Sequence, residues 1–221
     1  MTEPVVLDPT DPLVLPVGHY MGAFHPDVGA PMKYRKLRIG MNIKKLTTEA
    51  EFGLWALSHG LPDRLDRTAW TRSTLLAVAK EMEVPEPEAA LQELVARGAL
   101  AEVTSQNAVE FARTHRIQPL MMGLGNTPQD PLNFNLGFIG LPPVVKVESL
   151  LYELWQWGRI GRNLWQTVEM FAEVERKVVH RGAGVPDPEG VLLRILARVH
   201  VLLAHNAAYL DRMLPELTAS A

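Results

Sequence analysis

Apolar and polar residues alternate strictly around position 40 of the chain. Leucine, isoleucine or methionine occupies every second position from Leu37 to Ile43, and polar residues or glycine separate them. A period of two with one polar side predicts a half-buried β-strand, which we extend back to Tyr34. The segment from His19 to Phe24 is a shorter strand candidate. The two strands together predict a β-hairpin.

Three short helices are predicted after this hairpin. A T-x-x-E capping box at Thr48 begins the first, and Gly60 ends it. The second begins near Ser73, where apolar residues follow helical spacing. The third begins at Pro87, because a proline at the first helical position loses no hydrogen bond, and it ends before Gly98. The next five residues are a strand candidate.

The first 17 residues contain four prolines and no basic residue. Proline restricts the backbone and removes an N–H donor, so residues 1–17 are predicted to be an extended arm. The arm would lie on its own domain or on a neighbouring subunit. Residues 18–104 would form one domain that contains the hairpin and the three helices.

The pattern of the chain changes after residue 104. Residues 105–145 are rich in glycine and proline but also apolar, so we expect an irregular, ordered connector rather than a disordered one. Within it, alternation from Leu132 to Phe138 predicts one strand. Gly123-Leu124-Gly125-Asn126 is interpreted as a turn, because the third glycine of a nucleotide-binding motif is missing.

The last part of the chain is predicted to be helical. Apolar residues follow helical spacing from Val147 to Val179 and again from Pro188 to Met213. Residues 146–221 would therefore form a helical hairpin domain. Its large apolar surface must be covered, and we expect a homodimer through these C-terminal helices.

The helical segments LTTEAEFGLWALSHG and STLLAVAKEMEVPEPEAALQELVARGAL resemble winged-helix domains. They are most similar to PqqD-like domains, also called RiPP recognition elements, with an R-G-x-L ending at Leu100. The resemblance covers about a third of the chain. It implies a domain that binds the leader of a peptide substrate as an added β-strand. The layout of a winged helix followed by a helical hairpin also resembles dimeric PadR-type regulators.

The charge and composition of the chain exclude several classes of function. The 221 residues carry 22 basic and 25 acidic side chains, a net charge of −3, which does not indicate general affinity for nucleic acid or an anionic membrane. The absence of cysteine excludes disulfides and thiol catalysis. No catalytic, cofactor or metal motif is recognisable, so we expect a non-enzymatic cytoplasmic protein with no cofactor and no metal.

Basic residues concentrate on the predicted strand from Tyr34 to Ile43 and beside it. They give either a charged, solvated edge strand, on which lysine blocks unwanted pairing, or an edge that accepts an acidic peptide by strand addition. With the third helix, the residues expected to bind a peptide or protein partner are Lys33, Arg35, Lys36, Arg38, Gln92 and Arg97.

A DNA-binding regulator is the alternative. A recognition helix normally presents basic or amide side chains to bases and phosphates. The third helix offers Gln92 and Arg97 for such contacts, but three carboxylates in or just before it would repel phosphates: Glu86, Glu88 and Glu93. We therefore expect an α+β protein, with an N-terminal winged helix and a mostly helical C-terminal region, that binds a peptide or protein. A dimeric winged-helix transcription regulator remains open.

Overall fold

The computed structural model describes residues 7–65, 69–178 and 187–214. The fold is a mixed α+β arrangement of helices and small antiparallel sheets, which confirms the predicted class. No helix in these ranges is long and apolar enough to cross a membrane.

The N-terminal half contains the elements that were predicted in most detail. In chain order they are β1 (Leu13–Pro16), β2 (His19–Phe24), β3 (Tyr34–Ile39), β4 (Asn42–Leu46), α1 (Glu49–Leu57), α2 (Arg72–Glu81), α3 (Pro87–Ala96) and β5 (Leu100–Val103).

The second half contains more strands than the sequence pattern suggested. Its elements are α4 (Ala108–Thr114), β6 (His115–Pro119), β7 (Met122–Thr127), β8 (Asp130–Gly137), β9 (Val145–Glu148), α5 (Ser149–Trp157), α6 (Leu164–Val178), α7 (Pro188–Arg198), α8 (His200–Ala204) and β10 (Ala208–Arg212).

A two-stranded ribbon of β1 and β5 separates two hydrophobic cores. Successive side chains of a strand point to opposite faces, so Leu13 and Leu15 enter the core of the second half, and Val14 enters the core of the first. All three are at most 3% exposed. The predicted extended arm therefore ends in a buried strand of the fold itself. Residues 1–6 of the arm lie outside the described residues.

The predicted starts of the three N-terminal helices are confirmed. Thr48 and Glu51 form the complete capping box of α1. Thr71, one residue before α2, accepts a hydrogen bond from the N–H of Thr74. Pro87 is the first residue of α3. The two threonines fix helix ends because they satisfy N–H groups that have no partner inside the helix, and Pro87 does so because it has no N–H that needs a partner.

The prediction of a single strand from Tyr34 to Ile43 is wrong, because the chain reverses direction at Gly40 and Met41. β3 ends at Ile39, a two-residue turn follows, and β4 returns antiparallel to β3. Gly40, the first turn residue, has a φ of +56°, which glycine adopts without strain. Met41, predicted to be half-buried, occupies the turn and is 75% exposed.

The prediction that residues 105–145 lack regular secondary structure is also wrong. The segment contains α4, β6, β7 and β8, and the strand predicted at Leu132–Phe138 is confirmed as part of β8. The glycine pair interpreted as a turn lies in β7, where Gly125 has a φ of +75° and the pairing with β8 shifts register. Glycine here marks a β-bulge, which has the same residue preference as a turn.

The C-terminal region is more than a helical hairpin. The predicted helix from Val147 to Val179 breaks at Gly158, where a Cβ would lie 2.3 Å from Cγ2 of Ile117. The last predicted helix ends early, and Ala208–Arg212 becomes β10, paired antiparallel with β6. The apolar residues of β10 fit helical spacing by chance, because five residues are too few to separate the two periods.

Replacing Gly18 with alanine tests the close packing of the β1–β2 connection against β3. Gly18 has a φ of +108°, and an added Cβ would lie 2.8 Å from the carbonyl oxygen of Arg38. We expect about 1–3 kcal/mol of backbone strain and a further loss of about 1–3 kcal/mol from the clash. Gly22→Ala is the matched control, because Gly22 has a φ of +91° but open space around it. Equal losses in urea unfolding of the two variants would contradict the close contact.

Candidate functional site

The basic strand β3 is the central strand of a three-stranded sheet. Its neighbours are β2 and β4, both antiparallel to it. The prediction that this strand is a free edge is therefore wrong, because the turn at Gly40 supplies β4 as a second partner. The open edges of the sheet are β2 and β4. Of these, β4 carries Lys44 and Lys45.

The inner face of this sheet packs on α1. Leu37 is fully buried there. The predicted binding residue Arg35 lies on the same face and donates two hydrogen bonds to Glu49, at 2.9 and 3.1 Å. Its guanidinium also lies 4.1 Å from the ring centroid of Phe52. Arg35 thus joins the sheet to α1 and has few donors left for a partner.

Arg38, another predicted binding residue, joins the sheet to the end of the chain. Its Nη1 donates to Oδ2 of Asp211 at 3.1 Å, and its Nη2 donates to the hydroxyl of Tyr209 at 2.6 Å. Asp211 is fully buried and also accepts the N–H of Gly40 at 2.7 Å. Against the opposing effect of burial, the contacts with Tyr209 and Asp211 raise the pKa of Arg38 above its usual value. Arg38 is a structural residue in this arrangement.

The outer face of the sheet combines aromatic rings with lysines. Phe24 and Tyr34 stack with ring centroids 4.9 Å apart. Lys36 lies over the first ring at 4.6 Å, and Lys45 lies over the second at 4.7 Å. Such cation–π contacts stabilise an exposed ammonium by roughly 0.5–1 kcal/mol without neutralising it. We call these four residues the cation–aromatic face.

The lysines on both faces of this sheet and just before β3 keep their charge available. In the ranges that the structure describes, Lys33, Lys36, Lys44 and Lys45 form no ion pair with a carboxylate. Lys33, one of the predicted binding residues, is exposed just before β3. An acidic partner could therefore approach without first displacing an internal carboxylate.

The outer edge of β4 is partly open. A two-residue turn places Ile39 and Asn42 in a hydrogen-bonded pair, so the backbone groups of Ile43 and Lys45 point away from β3. The side chain of Ile43 is 52% exposed. An extended segment could add to the sheet here through these outward N–H and C=O groups.

Arg97, predicted to bind the partner, lies at one end of this edge. It follows α3, donates from Nη2 to the carbonyl oxygen of Lys45, and pairs with Glu51 at 2.5 Å. Hydrogen bonds from Thr47 and Thr48, together with Arg97, lower the pKa of Glu51 against the opposing effect of its burial. Arg97 thus holds α1, α3 and β4 together and occupies the carbonyl of Lys45, so the open edge ends at the N–H of Lys45.

The exposed side of α3 is acidic. Gln92, the remaining predicted binding residue, is exposed beside Glu93, and Glu88 pairs with Lys80 at 2.7 Å. The buried side of the helix holds Leu91 and Leu94. A helix with this exposed side repels phosphate rather than attracting it.

A small cavity of about 170 Å³ lies beside β2, between the two halves of the fold. Its walls include His19, Tyr20, Trp55, His59 and Tyr209. Burial lowers the pKa of His59 to about 4 and also lowers the pKa of His19. Both rings are therefore neutral near pH 7. Among the described residues, no group of three His, Cys, Asp or Glu side chains could hold a metal ion.

The binding residues predicted from the sequence did not include Phe24, Tyr34 or Ile43, which form part of the candidate surface, although Tyr34 and Ile43 are the ends of the strand that was predicted to accept the partner. Tyr34 and Lys36 lie two apart in the sequence, so a strand assignment alone places them on one face. Phe24 and Lys45 join them only through pairing with β2 and β4. The short sequence Gly40-Met41 was the available signal for the second pairing, because glycine between two strand-like runs favours a tight turn.

Comparisons with known proteins give no match to a family model, a curated protein or a solved structure.

Proposed function

We propose that the protein is a non-enzymatic binding protein, and that its three-stranded sheet accepts an extended acidic segment of a peptide or protein. The segment would pair with the outer edge of β4. Its acidic side chains would lie over the cation–aromatic face. The observation that carries the proposal is the combination of an open β4 edge with four lysines that have no carboxylate partner among the described residues.

The free backbone groups of β4 support strand addition beside Ile43. Outward backbone groups are available at Ile43, while the carbonyl of Lys45 is already held by Arg97. An added strand would therefore begin beside Met41 and run towards Lys45. Main-chain hydrogen bonds give such complexes their affinity, and alternate side chains give them specificity.

The order of strands and helices is compatible with a more specific proposal, which concerns the type of domain. Three strands, β2 to β4, precede the three helices α1 to α3, and we propose that this unit is a winged-helix domain of the PqqD-like kind. The resemblance of the helical segments implies a peptide-leader partner, or the enzyme that modifies such a peptide. An acidic segment in that partner would match the lysines of the sheet.

The charge of α3 favours this proposal over a DNA-binding regulator. The exposed helix carries Glu88 and Glu93, and the arginine at its end is held by Glu51. Binding to DNA requires several cations free to contact phosphates. Among the residues that the structure describes, the lysines of β3 and β4 have no ion-pair partner, but α3 supplies no free cation of its own.

Reversing the charge of Lys36 and Lys45 together should abolish most of the binding. The probe is a fluorescein-labelled, strand-forming peptide in which glutamate alternates with valine. We expect its dissociation constant to rise about a hundredfold, at about 1.4 kcal/mol per reversed lysine. Fluorescence anisotropy measures the change. Gln92→Ala is the control on α3 and should leave the affinity unchanged.

The variant Ile43→Pro separates strand addition from simple charge attraction. Proline removes the outward N–H of Ile43 but no hydrogen bond between β3 and β4. Loss of peptide binding in a folded Ile43→Pro protein supports pairing at this edge. Unchanged binding in this variant and in Lys36→Glu/Lys45→Glu would overturn the proposal. Salt-sensitive binding to a DNA duplex, without peptide binding, would favour the regulator instead.

A further inference from the structure

The cavity beside β2 is lined mainly by aromatic rings and carries no full charge. Gly18, Trp55 and Ala208 form buried parts of its wall, and Tyr20 and Leu120 lie exposed where it opens to solvent. Among the described residues that line it, none is an aspartate, a glutamate, a lysine or an arginine. Apolar and aromatic walls with a few polar groups are typical of sites for small molecules. This cavity therefore suits an uncharged ligand.

The volume of the cavity limits the size of that ligand. The volume is about 170 Å³. A cavity of about 150 Å³ is large enough to hold one benzene ring, and a single water molecule takes up only about 30 Å³. The cavity therefore fits a planar molecule with one six-membered ring, and a small substituent can extend towards its open side.

Trp55 offers this cavity a hydrogen-bond donor. The residue is 5% exposed, and its indole N–H has no acceptor among the described residues. The indole N–H of Trp70, by contrast, donates to the carbonyl oxygen of Leu57 at 2.8 Å. Leaving a buried donor without an acceptor is costly. A carbonyl oxygen of a bound molecule would satisfy Trp55.

His59 offers the complementary acceptor. Its Nδ1 lies 3.1 Å from the carbonyl oxygen of Trp55 and 3.2 Å from that of Ala56. These two acceptors assign the proton to Nδ1, so Nε2 has a free lone pair. Burial lowers the pKa of His59 to about 4, and the ring is therefore neutral near pH 7. The ring centroids of His59 and Trp55 are 4.6 Å apart, which is close enough for one small ligand to contact both.

We propose that this cavity binds an uncharged molecule of one ring that carries an amide group. The amide oxygen accepts the indole N–H of Trp55, and the amide N–H donates to Nε2 of His59. The ring of the ligand lies among the aromatic side chains of the wall. Since Ala208 and Tyr209 of β10 also line the cavity, the ligand contacts both halves of the fold.

This site is separate from the proposed peptide site. The peptide would bind at β4 and over the cation–aromatic face, and none of those residues lines the cavity. The failure of one proposal therefore leaves the other standing.

Benzamide is the probe for this site, and acetophenone is its matched analogue. Acetophenone keeps the ring and the carbonyl group but has a methyl group in place of the amide nitrogen. We expect benzamide to bind with a dissociation constant on the order of 1 mM, as for other ligands of one ring. Acetophenone should bind about tenfold more weakly, because it cannot donate to His59. Benzoate is charged and has no N–H donor, so it should bind more weakly still.

Nuclear magnetic resonance locates the bound probe on the full chain. The five tryptophans give five indole N–H signals, and the variant Trp55→Phe identifies the signal of Trp55. Benzamide should shift this signal and the amide signals of His19 and Tyr20. In Trp55→Phe, the shifts of these two amides should show binding about tenfold weaker, since one hydrogen bond is lost. Trp155→Phe is the matched control, because the indole N–H of Trp155 also has no acceptor among the described residues but lies outside this cavity. It should leave the affinity unchanged.

Three results would overturn the inference. Benzamide could leave the Trp55 signal unmoved at every concentration, acetophenone or benzoate could bind as tightly as benzamide, or a folded Trp55→Phe protein could bind benzamide as tightly as Trp155→Phe does. The comparison of the three compounds uses the wild-type protein, so it decides the question even if Trp55→Phe does not fold.

Discussion

Asp211→Ala is expected to lower the free energy of unfolding by about 3 kcal/mol, which is a large part of the stability of a typical domain. The carboxylate is fully buried and lies between the guanidinium groups of Arg38, at 3.1 Å, and Arg116, at 3.8 Å. Alanine would leave both cations without a counter-charge. It would also remove the acceptor for the N–H of Gly40 in the β3–β4 turn.

Two further variants make the Asp211 prediction specific. Asp211→Asn keeps an oxygen acceptor for Gly40 but loses the charge, so its loss should be smaller than that of alanine. Asp130→Ala removes an exposed pair with Lys146 and should cost no more than about 1 kcal/mol. Urea unfolding measures all three. An Asp211→Ala loss no larger than that of Asp130→Ala would show that the buried network does not hold the two halves together.

Lowering the pH from about 6.5 to 4 is expected to remove about 3 kcal/mol of stability for each of two buried histidines. His115 and His200 are 6% and 5% exposed, and burial lowers the pKa of each to about 4 against an ordinary value of 6.5. The unfolded chain binds these protons first. The stabilisation is therefore complete above the unfolded pKa and is lost as the pH falls towards the folded one.

His200→Gln identifies the contribution of one histidine to this acid sensitivity. Nε2 of His200 lies 3.0 Å from the carbonyl oxygen of Val14 in β1. Glutamine has an amide N–H that can donate to the same oxygen, but it does not titrate in this range. The variant should lose about 3 kcal/mol less than the wild type over the same pH interval. Equal losses in the two proteins would contradict a buried, neutral His200.

The predictions that succeeded depend on contacts close in sequence. The capping box from Thr48 to Glu51 and the proline start of α3 act over three or four residues. The local sequence is therefore sufficient to predict where these two helices begin. The α+β class was also predictable, because strand and helix periods occur in separate segments.

The predictions that failed depend on distant contacts, and so does the strand pairing of the predicted extended arm, which no sequence pattern indicated. Leu13–Pro16 is a strand because β5, about ninety residues later, pairs with it. β10 is a strand because β6 lies beside it, although its apolar spacing also fits a helix. The turn at Gly40 is held by Asp211 from the end of the chain. The spacing of apolar and polar residues in these segments does not indicate which distant strand or side chain they contact.

The candidate site was predicted in composition but not in arrangement. The basic cluster exists, yet Arg35, Arg38 and Arg97 are engaged with Glu49, Asp211 and Glu51. A count of charges cannot tell an arginine that holds the fold from a lysine that stays free. The tertiary contacts decide this point, because Glu49, Asp211 and Glu51 reach these arginines from other elements of the fold.

The amide hydrogens of β4 test the central claim most directly. Hydrogen exchange, followed residue by residue by NMR, would be compared with and without the glutamate–valine peptide. Addition of a strand to β4 predicts new protection of the outward N–H groups of Ile43 and Lys45. The amides of Asn42 and Lys44, already paired with β3, should change little. Protection elsewhere in the protein, with unchanged exchange at Ile43 and Lys45, would contradict binding at this edge.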